Sequence, residues 1–226
     1  MEFEPFFLSF KLAAVTTMIL FVIALPLSWW LSQTKVRWKP LIEAITSLPI
    51  VLPPSVIGFY ILYALSPTSS LGIFFEETLG VQLVFNFTGL VIASCFYSFP
   101  FMVQPLQSGF ETLNKNMLEA SYIVGRSKIQ TIFFVAIPNI KPALLTAMIV
   151  TFAHTVGEFG VVLMVGGSIP GETKVASVAI YEFVEIMDYQ SAHLYSALMI
   201  VLSFIVLLVV YIFNHRHNHR MGFSND

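Results

Sequence analysis

Five long apolar stretches, each close to the length needed to cross a membrane, constrain this chain more than any other feature of its sequence. They cover residues 12–31, 41–65, 88–103 with an extension toward 110, 142–165 and 194–213. A helix needs about 20 apolar residues to cross roughly 30 Å of hydrocarbon. Because lipid cannot pair with backbone polar groups, such segments cross as helices. The sequence therefore predicts an all-α polytopic membrane protein with about five spanning helices.

Two further apolar stretches are poor candidates for a span. Residues 71–87 contain Glu76, Glu77 and Asn86, so we expect a short surface helix there, although a sixth span stays open. Residues 175–184 are too short to cross alone and are expected to be interfacial or re-entrant. The first stretch follows an acidic N-terminus and is too long for a signal-peptide core, so we expect a retained span. No repeat or linker divides the chain, and we treat 1–226 as one membrane domain.

The composition supports membrane residence and excludes some partners. Hydrophobic residues make up 57% of the chain and charged residues 11%, and the mean hydropathy is +0.82. A soluble domain would carry roughly 25% charged residues. A net charge of -2 without a basic patch argues against nucleic acid as a partner. The single cysteine, Cys95, excludes an internal disulfide and a multi-cysteine metal site.

The distribution of basic residues predicts the orientation of the chain. With the N-terminus outside, only Lys11 and Lys174 of the eleven Lys and Arg lie outside. The other nine then lie on the cytoplasmic side: Lys35, Arg37, Lys39, Lys115, Arg126, Lys128, Lys141, Arg216 and Arg220. Because cytoplasmic loops are rich in Lys and Arg, we expect the N-terminus outside and the C-terminus in the cytoplasm. The histidine-rich tail, 215–220, is interpreted as a solvated basic anchor, with metal binding as the alternative.

The longest predicted cytoplasmic segment, about 111–141, has the pattern of two short helices joined by a bend. Leu118 and Tyr122 share one helix face, and Gly125 can end that helix. A second helix is expected to begin near Lys128 and to stop before Pro138, whose ring disfavours a continuous α-helix. Such a protrusion could be held in the groove of a soluble partner.

The fourth apolar stretch carries His154 and Glu158, which are four residues apart and so share a helix face. Gly157 and Gly160 permit close helix approach or a kink. Three interpretations stay open: a structural anchor between helices, a residue pair lining a translocation path or its gate, and a metal or proton-relay pair. One His and one Glu are too few for a catalytic zinc site.

The second apolar stretch contains Pro49, Pro53 and Pro54, followed by Ser55 and Gly58. Three prolines remove backbone donors and kink a helix, and the freed carbonyls are tolerated only where protein or water reaches them. A kinked packing helix and a bend that lines a pore are both consistent with this pattern.

Several of these segments together resemble the permease subunits of molybdate and sulfate ABC importers. The family's cytoplasmic loop has Glu-Ala-Ala, then Gly after three residues, then an apolar-x-Leu-Pro ending. The matching residues here are Glu119, Ala120, Ser121, Gly125, Val135, Ile137 and Pro138. Ser121, Val135 and Ile137 depart from the pattern. The proline-rich second stretch and Gly-Glu-Phe-Gly in the fourth resemble the molybdate and sulfate permeases, and Ser-Val-Ala-Ile-Tyr at 177–181 resembles the molybdate branch in particular.

The resemblance implies the fold of a type I ABC importer permease in the bacterial inner membrane. It implies a homodimer, two cytoplasmic ATPase subunits that dock on the loop, and an extracytoplasmic oxyanion-binding protein. The chain lacks the Gly-x-x-x-x-Gly-Lys-Ser/Thr phosphate loop, so ATP is expected on the partner, with no cofactor bound directly and no catalysis by this chain. The candidate residues of a translocation path or gate are Pro53, Pro54, Ser55, Gly58, His154, Glu158 and Gly160.

The expected cargo is molybdate, with tungstate as a companion. A charged Glu158 would repel an oxyanion, so we expect it to hold a bent helix rather than to bind cargo. Hydroxyls, backbone N–H groups and helix N-termini suit an oxyanion better. The alternatives are a sulfate or thiosulfate permease and, from another class, a proton-coupled secondary transporter that uses His154 and Glu158.

Overall fold

The computed structural model describes the backbone of residues 2–220 and, apart from residues 79, 210 and 213–220, their side chains. The side chains of the histidine-rich tail therefore lie outside the described part of the chain. The described elements are helical: α1 (Glu4–Gln33), α2 (Lys39–Val51), α3 (Pro54–Leu65), α4 (Ser70–Leu79), α5 (Phe87–Glu111), α6 (Lys115–Ile123), α7 (Lys128–Thr131), a π-helical turn (Ile132–Ala136), α8 (Ile137–Asn139), α9 (Lys141–Val156), α10 (Gly160–Gly166), α11 (Ala176–Glu185) and α12 (Tyr189–Arg220).

Three of these helices, α1, α5 and α12, are long and apolar enough to cross a membrane without a break. The thirty residues of α1 correspond to about 45 Å, more than the hydrocarbon core requires. Two pairs of segments pass the same test only together: α2 with α3, bent by 109°, and Lys128–Asn139 with α9, bent by 78°. The described residues therefore hold three to five candidate spans, and the predicted number of about five is the upper end of that range. The first half of the second pair, Lys128–Asn139, belongs to the segment that is predicted to be cytoplasmic.

The second and fourth spans are broken rather than continuous. Residues 41–65 form two helices separated at Leu52 and Pro53 instead of one kinked helix. The prediction of one helix over 142–165 is wrong: α9 ends at Val156, and α10 begins at Gly160. Glycine has a low helix propensity and can adopt the irregular conformation that a break requires, and Gly157 and Gly160 bracket the interruption.

The core lies where α1, α5 and α9 pack together. Its buried members include Leu20, Leu31, Met102, Leu106 and Ala147. A Cβ built on Gly109 of α5 would lie 2.4 Å from the Cβ of Ala143 on α9. Glycine therefore lets these two helices approach closely, as small residues commonly do in membrane proteins.

The same core extends into the segment that follows α5. Leu118 of α6 and Ala136 of the π-helical turn are buried members of the cluster that contains Leu106 and Phe110. The loop between α5 and α9 thus packs against the helix bundle through buried apolar side chains. The loop and the ends of α1 and α5 therefore share one buried cluster.

Each of the two short apolar segments contains a short helix, as predicted for 71–87; the interfacial or re-entrant placement of 175–184 stays a prediction. Helix α4 begins after Ser69, whose hydroxyl accepts a hydrogen bond from the Gly72 amide at 2.9 Å, and ends at Gly80 in the left-handed conformation. Helix α11 has ten residues, too few to cross a membrane alone.

Candidate functional site

The loop between α5 and α9 begins with helix α6, which ends at Gly125. The Gly125 amide donates to Tyr122 O at 2.9 Å, and the Arg126 amide donates to Ser121 O at 3.2 Å. These are the two hydrogen bonds of a Schellman motif. Gly125 has a φ of +85°, which glycine adopts without the penalty paid by a residue with a Cβ. The predicted end of the first loop helix at Gly125 is correct.

The second loop helix begins at Lys128, also as predicted. Ser127 caps it: the Gln130 amide donates to Ser127 Oγ, and the Gln130 side chain accepts from the Ser127 amide. This reciprocal pair is a capping box. The two loop helices are joined by a hydrogen bond of 3.0 Å between the buried hydroxyls of Ser121 and Thr131. Ser121, a departure from the family pattern, therefore holds the bend together.

The second loop helix does not stop before Pro138, and that part of the prediction is wrong. The chain widens into the π-helical turn Ile132–Ala136 and continues through Pro138 to Asn139. A proline removes one amide donor and crowds the carbonyl four residues earlier. A π-helical turn moves that carbonyl away, so the helix continues. The change of direction occurs afterwards, at Ile140.

Besides Tyr122, five large apolar side chains of this loop are exposed, and the family motif does not include them. They are Ile123, Val124, Ile129, Phe133 and Phe134. Ile123 and Val124 are 85% and 80% exposed. We call these five residues the apolar tip. The predicted residues Glu119, Ala120 and Gly125 are exposed beside it, Ile137 is half-buried, and Pro138 is exposed. An apolar pair directly before Gly125 in a polar loop was the available sequence signal.

The breaks in the second and fourth spans lie against each other. A Cβ on Gly160, the first residue of α10, would lie 2.9 Å from Pro54 Cβ, at the first residue of α3. A Cβ on Gly58 would lie 2.8 Å from Met164 Cβ on α10. The predicted path residues Pro54, Gly58 and Gly160 are therefore brought together, and Pro53 and Ser55 are exposed at the same place.

Glu158 lies in the break between α9 and α10. Its side chain is 4% exposed, and neither carboxylate oxygen has a hydrogen-bond partner among the described residues. Its backbone is held firmly: the amide donates to Thr155 O at 3.2 Å, and the carbonyl accepts from Ser177 Oγ at 2.6 Å. Ser177 lies on α11, so the break is tied to the helix beyond it.

The spacing of four residues suggested that His154 pairs with Glu158, but the two side chains are not hydrogen-bonded. His154 Nδ1 lies 3.0 Å from Ser98 Oγ on α5, and the His154 ring stacks on Phe101 at a centroid distance of 3.9 Å. Ser98 also hydrogen-bonds Thr155 at 2.9 Å. Because the helix ends after Val156, Glu158 leaves the face that His154 occupies. His154 is thus part of the α5–α9 contact.

Among the residues that the structure describes, no group of three or more His, Cys, Asp or Glu is arranged so that it could hold a metal. Ser98, Phe101 and Ser177 surround the two residues. These neighbours come from other helices, and the sequence carried no signal for them.

Comparison with known proteins identifies the family. The model of the family described as binding-protein-dependent transport system inner membrane component matches residues 24–222. The chain belongs to this family. It is a multi-pass inner-membrane protein, and the loop at 111–141 lies inside the matched region.

Relatives of this inner membrane component are transport permeases for molybdenum and sulfate. The molybdenum transport system permease protein ModB of Azotobacter vinelandii is 45% identical over 205 residues, 90% of each chain. The putative molybdenum transport system permease protein YvgM of Bacillus subtilis is 31% identical, with 92% of each chain covered. A probable sulfate transport system permease protein of Chlorella vulgaris is 29% identical over 92% of this chain and 77% of its own length.

Solved structures confirm the fold of the inner membrane component. A bacterial ABC transporter that imports the acidic polysaccharide alginate superposes with a TM-score of 0.74 at 15% identity, covering 98% of this chain and 79% of that chain. The MetNI methionine ABC transporter, in inward-facing conformations, superposes with a TM-score of 0.73 at 16% identity, covering 92% of each chain. The predicted ABC-importer permease fold is therefore correct.

Proposed function

We propose that this inner membrane component is the membrane-spanning subunit of an ATP-driven importer for molybdate, with tungstate as a second cargo. The observation that carries the proposal is the 45% identity to a molybdenum permease over 90% of each chain. The sulfate permeases are related at 29–32% identity. Other molybdenum permeases are related at 28–31% identity, so the 45% identity to one molybdenum permease is what favours molybdate over sulfate or thiosulfate.

The loop at 111–141 is the proposed docking element for the ATPase, and we call it the docking loop. Exposed clusters of large apolar residues mark interaction sites, and the apolar tip presents five of them on a segment expected in the cytoplasm. Arg126 lies 5.7 Å from the Phe134 ring and adds a basic group to the same surface. Two ATPase subunits that bind ATP would grip the two loops of a homodimer. Leu118 and Ala136 join the loop to the core, so movement of the loop would reach the spans.

The two adjoining breaks are the proposed gate region of the translocation path. Irregular backbone at membrane depth is tolerated where it is buried in protein or lines a cavity, and a buried carboxylate in a span is a functional candidate by default. The exposed residues Pro53 and Ser55 would face the path in the homodimer. Glu158 would keep the break between α9 and α10 in a conformation that can move during gating. It would not bind the anion itself.

A proton-coupled secondary transporter is less well supported. That alternative depended on a relay between His154 and Glu158. Among the described residues, neither carboxylate oxygen of Glu158 has a hydrogen-bond partner, and His154 Nδ1 pairs with Ser98 on another helix.

Reconstitution tests the proposal. The chain is placed in vesicles with its cognate ATPase and an oxyanion-binding protein, and uptake of radioactive molybdate is measured with and without ATP. We expect uptake that requires ATP and is competed by tungstate but not by sulfate. Uptake driven by a pH gradient without the ATPase would refute the proposal, and competition by equimolar sulfate would refute the choice of molybdate.

A further inference from the structure

Helix α2, the first half of the broken second span, is attached to the protein mainly along one polar edge. Of its thirteen residues, only Thr46 is buried. Leu41, Ile45 and Leu48 are exposed, and Ile42 adds one apolar contact with the core. The helix packs chiefly against α5. The position of α2 is therefore determined mainly by its contacts with α5.

That contact is a ladder of hydrogen bonds and ion pairs with three rungs. Lys39 Nζ lies 3.1 Å from Glu111 Oε1. Gln107 Nε2 donates to Glu43 Oε1 at 2.6 Å and also to Glu111 Oε1 at 3.0 Å. Gln104 Nε2 donates to Ser47 Oγ at 3.0 Å. We call these six residues the polar seam.

The spacing of the polar seam follows from helix geometry. Lys39, Glu43 and Ser47 are each four residues apart, so they form one stripe along α2. Their partners on α5 occur at 111, 107 and 104, in the reverse order, because the two helices run antiparallel. Polar side chains hydrogen-bond across helices in membrane proteins, where the hydrophobic effect does not distinguish helix from lipid.

The polar seam connects two functional regions. Glu111 is the last residue of α5, and three connecting residues separate it from α6, the first helix of the docking loop. At its other end, α2 terminates at the break at Leu52 and Pro53. The seam is therefore placed between the loop that the ATPase would move and the break that would form the gate.

We propose that the polar seam is a strap that makes α2 move with the cytoplasmic end of α5 and so passes displacement of the docking loop to the break at Pro53. This inference rests on the proposed function, because a strap is needed only if the loop is driven by an ATPase. The six residues act by positioning α2, and none is required to touch the cargo.

The test is the coupling ratio, the amount of molybdate moved for each ATP hydrolysed, in vesicles that carry the whole complex. Gln107→Ala removes the hydrogen bonds to both Glu43 and Glu111, and Gln104→Ala with Gln107→Ala removes two rungs. We expect the double variant to lower the ratio by about five- to tenfold, the size of a typical coupling between sites. The matched control is Gln33→Ala, since Gln33 is exposed and, among the described residues, its side chain bonds only its neighbour Ser32.

The ratio separates a strap from simple adhesion between helices. If the polar seam only holds α2 against α5, the variants should yield less assembled complex, and the assembled complex should keep the wild-type coupling ratio. An unchanged coupling ratio in complexes that still assemble would therefore overturn the proposal. The wild-type complex is the control for the proposed function, because absence of ATP-driven molybdate uptake there refutes the importer and not the strap alone.

A cross-link gives a second, independent arm. Ser47→Cys and Gln104→Cys, introduced into a Cys95→Ser background, are bridged by a short thiol-specific linker. Because a strap makes the two helices move together, we expect the bridged complex to keep the coupling ratio of the unbridged one. Single-cysteine variants treated with the same linker are the controls. Loss of uptake on bridging would show that α2 slides along α5 and would overturn the proposal.

Discussion

Gly160 occupies a position where a side chain does not fit. A Cβ there would lie 2.9 Å from Pro54 Cβ, inside the normal contact distance, whereas a Cβ on Gly157 would meet nothing closer than 3.8 Å. Both glycines are in the same break, so they form a matched pair. Glycine at 160 is thus required by the contact between the two broken spans, and glycine at 157 is not required by contact.

We predict that Gly160→Ala lowers the free energy of unfolding of the purified protein by roughly 1–3 kcal/mol, the usual cost of overpacking. The same change should reduce ATP-driven uptake of molybdate. Gly157→Ala should change stability far less. Thermal unfolding in detergent, followed by fluorescence, measures both. Equal stability of the two variants would mean that the breaks are not packed against each other as described.

Glu158 combines deep burial with a carboxylate that has no hydrogen-bond partner among the described residues. A buried charged group without partners costs free energy of folding, and residues that do so in membrane spans are usually functional. We predict that Glu158→Gln raises stability by on the order of 1 kcal/mol while lowering ATP-driven uptake, and that Glu158→Ala impairs assembly or gating. Wild-type uptake in both variants would show that the side chain is dispensable.

At the scale of elements, the docking loop depends on a bend held by Gly125. Both Gly125 and Gly80 have a positive φ, +85° and +64°, and open space around the Cβ position. Alanine at either site therefore costs roughly 1 kcal/mol of backbone strain. Gly80 ends α4 and lies outside the docking loop. Gly80→Ala is therefore the control that shows the effect of backbone strain without a change in the loop.

We predict that Gly125→Ala, alone or with Glu119→Ala, uncouples ATP hydrolysis from uptake, while Gly80→Ala leaves the two coupled. The coupling ratio in reconstituted vesicles is the measurement. Normal ATP-driven uptake by the Glu119→Ala, Gly125→Ala variant would contradict a role for this loop in coupling.

The apolar tip supplies a second prediction at this scale. Val124→Asp places a charge on a side chain that is 80% exposed, so folding should survive while docking is lost. Because a central contact residue commonly contributes 2 kcal/mol or more to binding, the affinity for the ATPase should fall by more than about tenfold. Val36→Asp, at an exposed valine in the α1–α2 connection, is the control. Co-purification of the ATPase with both variants at wild-type yield would exclude the tip from the interface.

For the whole molecule, the orientation across the membrane is a prediction that comes from charge alone. With nine of eleven Lys and Arg on one side, the docking loop should face the cytoplasm. In a Cys95→Ser background, a membrane-impermeant maleimide should label Ile169→Cys on intact spheroplasts and should label Val124→Cys only after lysis. Labelling of Val124→Cys on intact cells would place the loop outside, where no cytoplasmic ATPase reaches it.

The membrane-spanning helices, the bend at Gly125 and the start of the second loop helix at Lys128 could all be predicted from the sequence. Each depends on local chemistry: the length of an apolar run, a positive φ that favours glycine, and a serine followed by glutamine at the capping spacing. The breaks at Pro53 and Glu158 were only partly predictable, because proline and glycine permit a break without requiring one.

Which groups meet across helices was decided by the tertiary structure alone. His154 pairs with Ser98, Gly160 packs on Pro54, and Lys39 reaches Glu111 because helices distant in sequence are adjacent in the fold. The sequence by itself determined residence in the membrane and the local form of the docking loop, since lipid and backbone geometry act on every segment separately. The polar seam and the meeting of the two breaks required packing, because their partners lie tens of residues away and no local pattern pairs them.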